Sequence, residues 1–547
     1  MDTVAQVLML LLAVAMSGFV VRLAPMPLPL PLLQIALGAF LAVGTEFATT
    51  LQPDLFFLLF LPPLLFLDGW RIPKRGLFRD GVTIVELALG LVIFTVLGVG
   101  LFIHWMIPAM PLAVSFALAA VLSPTDPIAV SAIAARVPIP HRLMHILEGE
   151  SLLNDASGLV CFRFAVAAAL TGTFSLSDAA WTFVQVAFGG IAIGCAFTWA
   201  VMKVQGMLVR RIGEDAALQT LVSLLIPFGA YLAAEHLHWS GILAAVAAGI
   251  TMNYAEIFGQ AMAATRIRKT AVWDTVQFSA NGVIFVLLGE QLPGILAGAA
   301  DTVRQSGHQE AWWLAVYVVA IALSLGLLRL FWVWASLQFT IYRARRKGAP
   351  RPHAPWRVLV ATSLAGVRGA ITLAGVLTLP LAMPDGTPFP ARDLAIFLAM
   401  GVILVSLLGG SLLLPPVLRG LELPPEAHAA QEEDEARRTA ADAAVMTIER
   451  VQHELAEGKA DADLYAEAAA RSMEHYHRQM DGAQQTPEEA ERMRRIAAIE
   501  RQFLLAGLKA EREALFRLRR ARKIEDGTLA RLVREIDLAE ARHQAGR

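Results

Sequence analysis

GESLLNDASG, residues 149–158, places a glutamate, an asparagine and an aspartate inside a run that otherwise reads as a membrane-spanning helix. Ionised side chains are costly inside a bilayer and mark functional sites when they occur there. The rest of the chain supports the membrane reading. Of 547 residues, 56% are hydrophobic and only 17% charged, too apolar for a soluble protein of this length. The charge is also segregated: 26 of the 47 acidic and 21 of the 46 basic residues lie after Gly420. Two parts are expected, a polytopic membrane domain over 1–420 and a cytoplasmic helical tail over 421–547. The two cysteines, Cys161 and Cys195, fall in apolar runs and suggest neither a disulfide framework nor a metal site. A net charge of −1 gives no reason to expect a nucleic-acid partner.

A helix crossing the hydrocarbon needs about 20 apolar residues. Thirteen candidate spans lie near 4–22, 27–46, 53–70, 82–107, 110–136, 142–171, 180–205, 215–237, 239–255, 271–298, 311–342, 355–384 and 391–418, the ninth being short. The chain begins Met-Asp-Thr, without the basic start of a secretory signal, so the first segment reads as a span. Basic residues cluster after odd-numbered spans, for example Arg71, Lys74, Arg75 and Arg79 after the third and Arg343, Arg345, Arg346, Lys347 and Arg351 after the eleventh. Loops after even spans hold only Arg304 and Arg392. Positive loops stay cytoplasmic, which predicts the N-terminus outside and the tail inside.

The fifth span contains SPTDPIAV, residues 123–130, in which Pro124 and Pro127 each remove a backbone donor. A broken helix at membrane depth is tolerated only where protein or a water-filled cavity satisfies the freed groups. The break puts Thr125 and Asp126 at the middle of the bilayer. In the sixth span Ser151 and Asp155 share one helix face and Glu150 and Asn154 another, since residues four apart are neighbours. One face can present a hydroxyl and a carboxylate to a cavity while the other binds a neighbouring helix. Gly149 and Gly158 permit close packing. The twelfth span contains SLAGVRGAITLAG, residues 363–375, which buries Arg368 at similar depth. A guanidinium there needs a partner, and Glu150 is the expected one. Asp155 is left without a fixed cation. A buried carboxylate in that position can take up a proton or hold a small cation, and a site that binds either but not both exchanges them. Asp68 either lines a cavity or caps the third span; Asn281 is a possible second contact; Arg163, two turns beyond Asp155, has no evident partner.

The motifs SPTDPIAV, EGESLLNDASG, SGILAAVAAGI, NGVIFVLLG and GVRGAITLA closely resemble those of monovalent cation/proton antiporters, in the branch holding animal NHE exchangers and microbial NhaP proteins. The resemblance covers most of 1–420 in the family's order. It implies an all-α inverted-repeat fold in which spans five and twelve are broken helices crossing at midplane, with a core domain and a dimerisation domain. By motif position Asp155 is the ion- and proton-binding carboxylate, and so the Na+ ligand. Ser151 and the backbone at Thr125 add oxygens, Asn154 and Asp126 hold the crossed helices, and Glu150 pairs with Arg368. Asp68 matches a position that is usually Glu. The implied activity is Na+ (or Li+) exchange for H+ by a homodimer in the cell (inner) membrane, probed against K+/H+ exchange with the same residues. No cofactor is expected beyond the transported ions. A gated channel is disfavoured because the polar groups form one focus rather than a continuous pore. A sensor signalling through the tail lacks any kinase or nucleotide motif, and no Walker loop suggests an ATP-driven pump or other enzyme.

In the tail, PPEAHAAQEEDEARRTA reads as a linker. Thr486-Pro487-Glu488-Glu489 is a helix start, the following 491–525 has helical apolar spacing, and Asp526-Gly527 is expected to end that helix before a last one. The basic run Arg517 to Lys523 belongs either to a soluble helical domain or to a lipid-touching surface.

Overall fold

The computed structural model describes residues 2–23, 29–44, 53–71, 86–126, 141–172, 176–258, 263–305, 312–346, 356–419, 427–457, 462–481 and 487–544. The chain is all-helical. Its elements are α1 (Asp2–Leu23), α2 (Leu30–Gly44), α3 (Pro53–Arg71), a π-helical turn (Glu86–Leu91) running into α4 (Val92–Met106), α5 (Leu112–Leu122), α6 (His141–Thr171), α7 (Leu176–Ile212), α8 (Ala216–His236), α9 (Gly241–Phe258), α10 (Ala263–Gln305), α11 (Trp312–Arg346), α12 (Trp356–Leu364), α13 (Ala370–Leu377) and α14 (Arg392–Leu418), followed by α15 (Ala427–Ala456), α16 (Ala462–Asp481), α17 (Pro487–Arg520) and α18 (Asp526–Gln544). Each of the thirteen expected spans coincides in whole or part with one of these helices. Among the described residues, eight helices are long and apolar enough to cross a membrane, and Leu30–Val43 and Leu112–Leu122 are shorter apolar helices. Several run past the expected ends: α10 begins at Ala263 and α7 continues to Ile212. Their flanking Arg and Lys residues are good helix formers and carry the helix beyond the apolar stretch. Helix α8 starts where Asp215 Oδ1 accepts the backbone N–H groups of Ala217 (2.7 Å) and Leu218 (3.0 Å). Those two bonds hold its carboxyl below the usual carboxylate range.

Residues Met1–Glu422 and Leu423–Arg547 form two compact units. Within the first, packing sorts the helices into two bundles. Helices α1, α2, α3, α7, α8, α9 and α10 pack among themselves, with α2 along α10 and α3 along α9. Helices α4, α5, α6 and α11 to α14 pack among themselves. The bundles meet where α10 lies against α11, α13 and α14, where α3 touches α6 and α13, and where α9 touches α6. The fifth and twelfth spans are both interrupted. Helix α5 stops at Leu122 and the chain through Asp126 is non-helical; residues 127–140, including Pro127, lie outside the described set. Between α12 and α13 the chain is non-helical over 365–369. The two interruptions touch directly: the Asp126 N–H donates to Val367 O at 2.7 Å. Backbone freed by one break is thus satisfied by the other.

In the second unit two tail expectations are corrected. The presumed linker is helical from Ala427; its alanine, glutamate and arginine content reads as solvated chain but equally favours helix. Asp526 opens the last helix rather than closing the one before. Helix α17 ends at Arg520, with Arg522 taking the left-handed turn conformation (φ 55°) and Lys523 N–H bonding back to Leu518 O (2.9 Å). Arg512 ties α17 to α18 through Asp537 (2.8 Å) and Glu540.

Candidate functional site

At the junction of the bundles a cavity of about 20 Å³ is lined by Asp155 and Ser151 of α6, Thr125 and Asp126 of the first break, Asp68 of α3 and Gln277 and Asn281 of α10. Gly369 of the second break and Thr372 of α13 also line it. That volume is about what one water-sized particle occupies. Ser151 and Asp155 reach it together because they sit one turn apart on α6, and both are buried (4% exposed). Among the described residues Asp155 has no ion-pair partner. Asp68 and Asp126 approach from opposite bundles and are partly exposed.

Close backbone approach makes the crossing possible at two glycines. A Cβ at Gly369 would occupy the position of the Asp126 side chain. A Cβ at Gly158 would lie 2.5 Å from Pro124 Cγ and 2.9 Å from Ala120 O, so only glycine lets α6 pass the break this closely. Asn154 Nδ2 donates to Thr125 Oγ1 (3.1 Å), and Thr125 Oγ1 donates to Glu150 Oε1 (3.2 Å). These bonds tie α6 to the unwound end of α5. Asn154 Oδ1 finds no hydrogen-bond partner among the described residues.

The expected Glu150–Arg368 pair does not form. Glu150 is held by Arg329 of α11, whose Nη1 bonds Oε1 and whose Nη2 bonds Oε2 at 2.8 Å; the two side chains are 1% and 2% exposed. Arg329 Nε also donates to Thr362 O (3.1 Å), at the end of α12. A Cβ at Gly366 would lie 2.7 Å from Arg329 Cδ, so the arginine runs along the glycine of the break. Arg368 instead donates from Nε to Leu122 O (3.0 Å) and from Nη1 to Gly366 O. The reason is local. A helix broken at membrane depth leaves carbonyls without partners at its C-terminal end, the negative end of the helix dipole. Arg368 lies in the crossing segment and meets those carbonyls before any carboxylate. Its own N–H is received by Ser406 Oγ (3.1 Å).

Sequence reasoning passed over Arg329 and Gln277. Arg329 interrupts the apolar run LGLLRLFW and carries the same need for a partner as Arg368. Gln277 precedes Asn281 by four residues and therefore shares its helix face; its Oε1 accepts Arg71 Nη1 (2.6 Å), and Arg71 also pairs with Asp274 (2.5 Å). Arg163, without an evident partner in sequence, donates to Glu235 Oε1 of α8 at 2.9 Å.

A family model described as "Sodium/hydrogen exchanger, transmembrane" matches residues 8–420. The chain is 41% identical over 548 residues to an uncharacterized Na(+)/H(+) exchanger of Escherichia coli, YjcE, covering 99% of each. It is 42% identical over 420 residues to a "Sodium, potassium, lithium and rubidium/H(+) antiporter" of Bacillus subtilis, covering 76% of this chain and 61% of that one. In fold it resembles the sodium proton antiporter MjNhaP1 of Methanocaldococcus jannaschii, with a TM-score of 0.57 at 19% identity over 77% of this chain and 99% of that one.

Proposed function

This chain belongs to the sodium/hydrogen exchanger family, and we propose that it exchanges Na+ (or Li+) for H+ by competition of the two ions for Asp155. It is a multi-pass membrane transporter. The observation that carries the reading is the distribution of charge at the bundle junction. Glu150 is neutralised by Arg329, and the Arg368 guanidinium is hydrogen-bonded by the Leu122 and Gly366 carbonyls rather than by a carboxylate. Asp155 has no such fixed partner, so its counter-charge is supplied by the ion that arrives. Ser151, Asp68 and the Thr125 carbonyl supply further oxygens, the ligands a hard cation takes; the Thr125 hydroxyl is already engaged by Glu150 and Asn154. Asp155 offers one negative charge in a space of about 20 Å³; a bound proton removes the charge that would hold a cation, so proton and cation exclude each other.

The stoichiometry follows from the same groups. Asn154 cannot ionise, and Asp126 is assigned to the helix crossing. One carboxylate releases one proton for each monovalent cation, and exchange is one for one and electroneutral. A broader selectivity that includes K+ is the second reading, favoured by the name of the Bacillus subtilis relative. The thirteen crossings, N-terminus outside and tail in the cytoplasm, follow from the loop charges, and the protein works as a homodimer in the cell (inner) membrane. The test is dye-monitored pH change in proteoliposomes with Na+, Li+ and K+ in turn, at several imposed potassium–valinomycin potentials. The proposal expects cation-driven proton flux that is insensitive to voltage and an apparent cation affinity that weakens as pH falls. A clear voltage dependence would mean that Asp68 or Asp126 also carries charge.

A further inference from the structure

Arg163 and Glu235 join the two bundles at a second level, eight residues beyond Asp155 on α6. Helix α6 belongs to one bundle and α8 to the other. The Glu150–Arg329, Arg71–Asp274 and Lys269–Glu256 pairs each stay within a single bundle. Glu235 is seated firmly on its own side: Oε1 also accepts the N–H of Gly241 (3.1 Å), the first residue of α9, and a Cβ at Gly241 would lie 2.9 Å from Glu235 Cγ. Arg163 and Glu235 both line a cavity of about 530 Å³ between α3, α6 and α8. Its inner wall includes Leu159 and Phe162, which are 2% and 5% exposed. Leu159 is one turn from Asp155, about 6 Å along the axis. The cavity is roomy enough for hydrated ions yet ends on apolar side chains one turn short of the carboxylate.

We infer that Arg163 and Glu235 form an outer latch, a charge pair that holds the bundles together on the face opposite the basic loops and parts whenever Asp155 is opened to that face. The inference rests on the exchange reading of Asp155, because a site between two bundles that serves both sides in turn requires the bundles to move against each other. An ion pair across that boundary must break and remake in every cycle. Its exposure suits the task. The side chains are 45% and 33% exposed, so water stands ready to replace each partner. A pair of this kind biases an equilibrium by about two- to fivefold, whereas a pair buried like Glu150–Arg329 would hold the bundles shut.

The test uses the full chain with Cys161 and Cys195 replaced by alanine and Leu159→Cys as a reporter, labelled from outside with a membrane-impermeant maleimide. Arg163→Gln and Glu235→Gln each remove the attraction, and the amide at 235 keeps an acceptor for Gly241. Each is expected to raise the labelling rate about two- to fivefold, and the exchanged pair Arg163→Glu with Glu235→Arg to return it toward the parent. Unchanged labelling in both single variants overturns the latch. So does labelling that rises still further in the exchanged pair, since that signals loosened packing rather than lost charge attraction. Cation-driven proton flux of the parent protein is measured alongside; its absence would fail the exchange reading independently of the labelling result.

Discussion

Replacing Arg329 by methionine leaves Glu150 as an uncompensated charge in a place where its side chain is 1% exposed. Removing one partner of a buried pair costs about 3–5 kcal/mol. Thr362 O loses its Arg329 donor as well, which adds about 1 kcal/mol. Glu150→Leu alone strands Arg329 at comparable cost. In the double variant both charges leave together, and well-packed apolar replacements of a buried pair are often neutral. What remains is the Thr125 hydroxyl without its Glu150 acceptor and Thr362 O without its donor, about 1–3 kcal/mol in all. The double variant is therefore expected to be more stable than either single one, with a coupling of ~3 kcal/mol or more. Unfolding of the detergent-solubilised protein in sodium dodecyl sulfate mixed micelles measures all three. Arg329→Met unfolding like wild type, or single effects that simply add in the double variant, would refute the pairing.

Arg368→Ala strips donors from Leu122 O and Gly366 O and is expected to lower stability in the same assay. It should couple to Glu150→Gln more weakly than Arg329→Met does, since Arg368 and Glu150 share no hydrogen bond. A chain ending near Leu423 retains every group at the bundle junction; it is expected to insert and to exchange ions in proteoliposomes, with any change confined to pH response or dimer stability. Complete loss of flux from a well-folded truncation would make the tail part of the transport machinery.

The shared face of Ser151 and Asp155 was readable because a helix of fixed period carries both. The break in the fifth span was readable because Pro124 and Pro127 each remove a backbone donor; the break in the twelfth was expected only from the family resemblance, its glycines alone being equally compatible with a tightly packed helix. The partners across the junction were another matter. The chain buries two arginines at similar depth, Arg329 and Arg368, and spacing along the sequence does not say which of them faces Glu150. What decides it is the crossing itself: Arg368 lies where the end of α5 exposes Leu122 O, and Arg329 lies on a helix that passes Gly366. A stricter accounting of the carbonyls left open where α5 ends would have called for a donor at that point. Arg163 was noticed but left without a partner, because Glu235 is 72 residues away on a helix of the other bundle. In the tail, the acidic stretch after Gly420 looked like a linker because composition reports solvation, while its helix at Ala427–Ala456 depends on propensity and on packing against α16.

The central claim is that Asp155 alone carries the exchanged charge. Asp155→Asn keeps the side-chain volume and mimics the protonated carboxyl, so the bundles should still pack around it. Cation-driven proton flux in proteoliposomes, measured on protein whose unfolding matches wild type, tests this most directly. The account predicts no flux with Na+, Li+ or K+. Flux retained in the Asp155→Asn protein would contradict it.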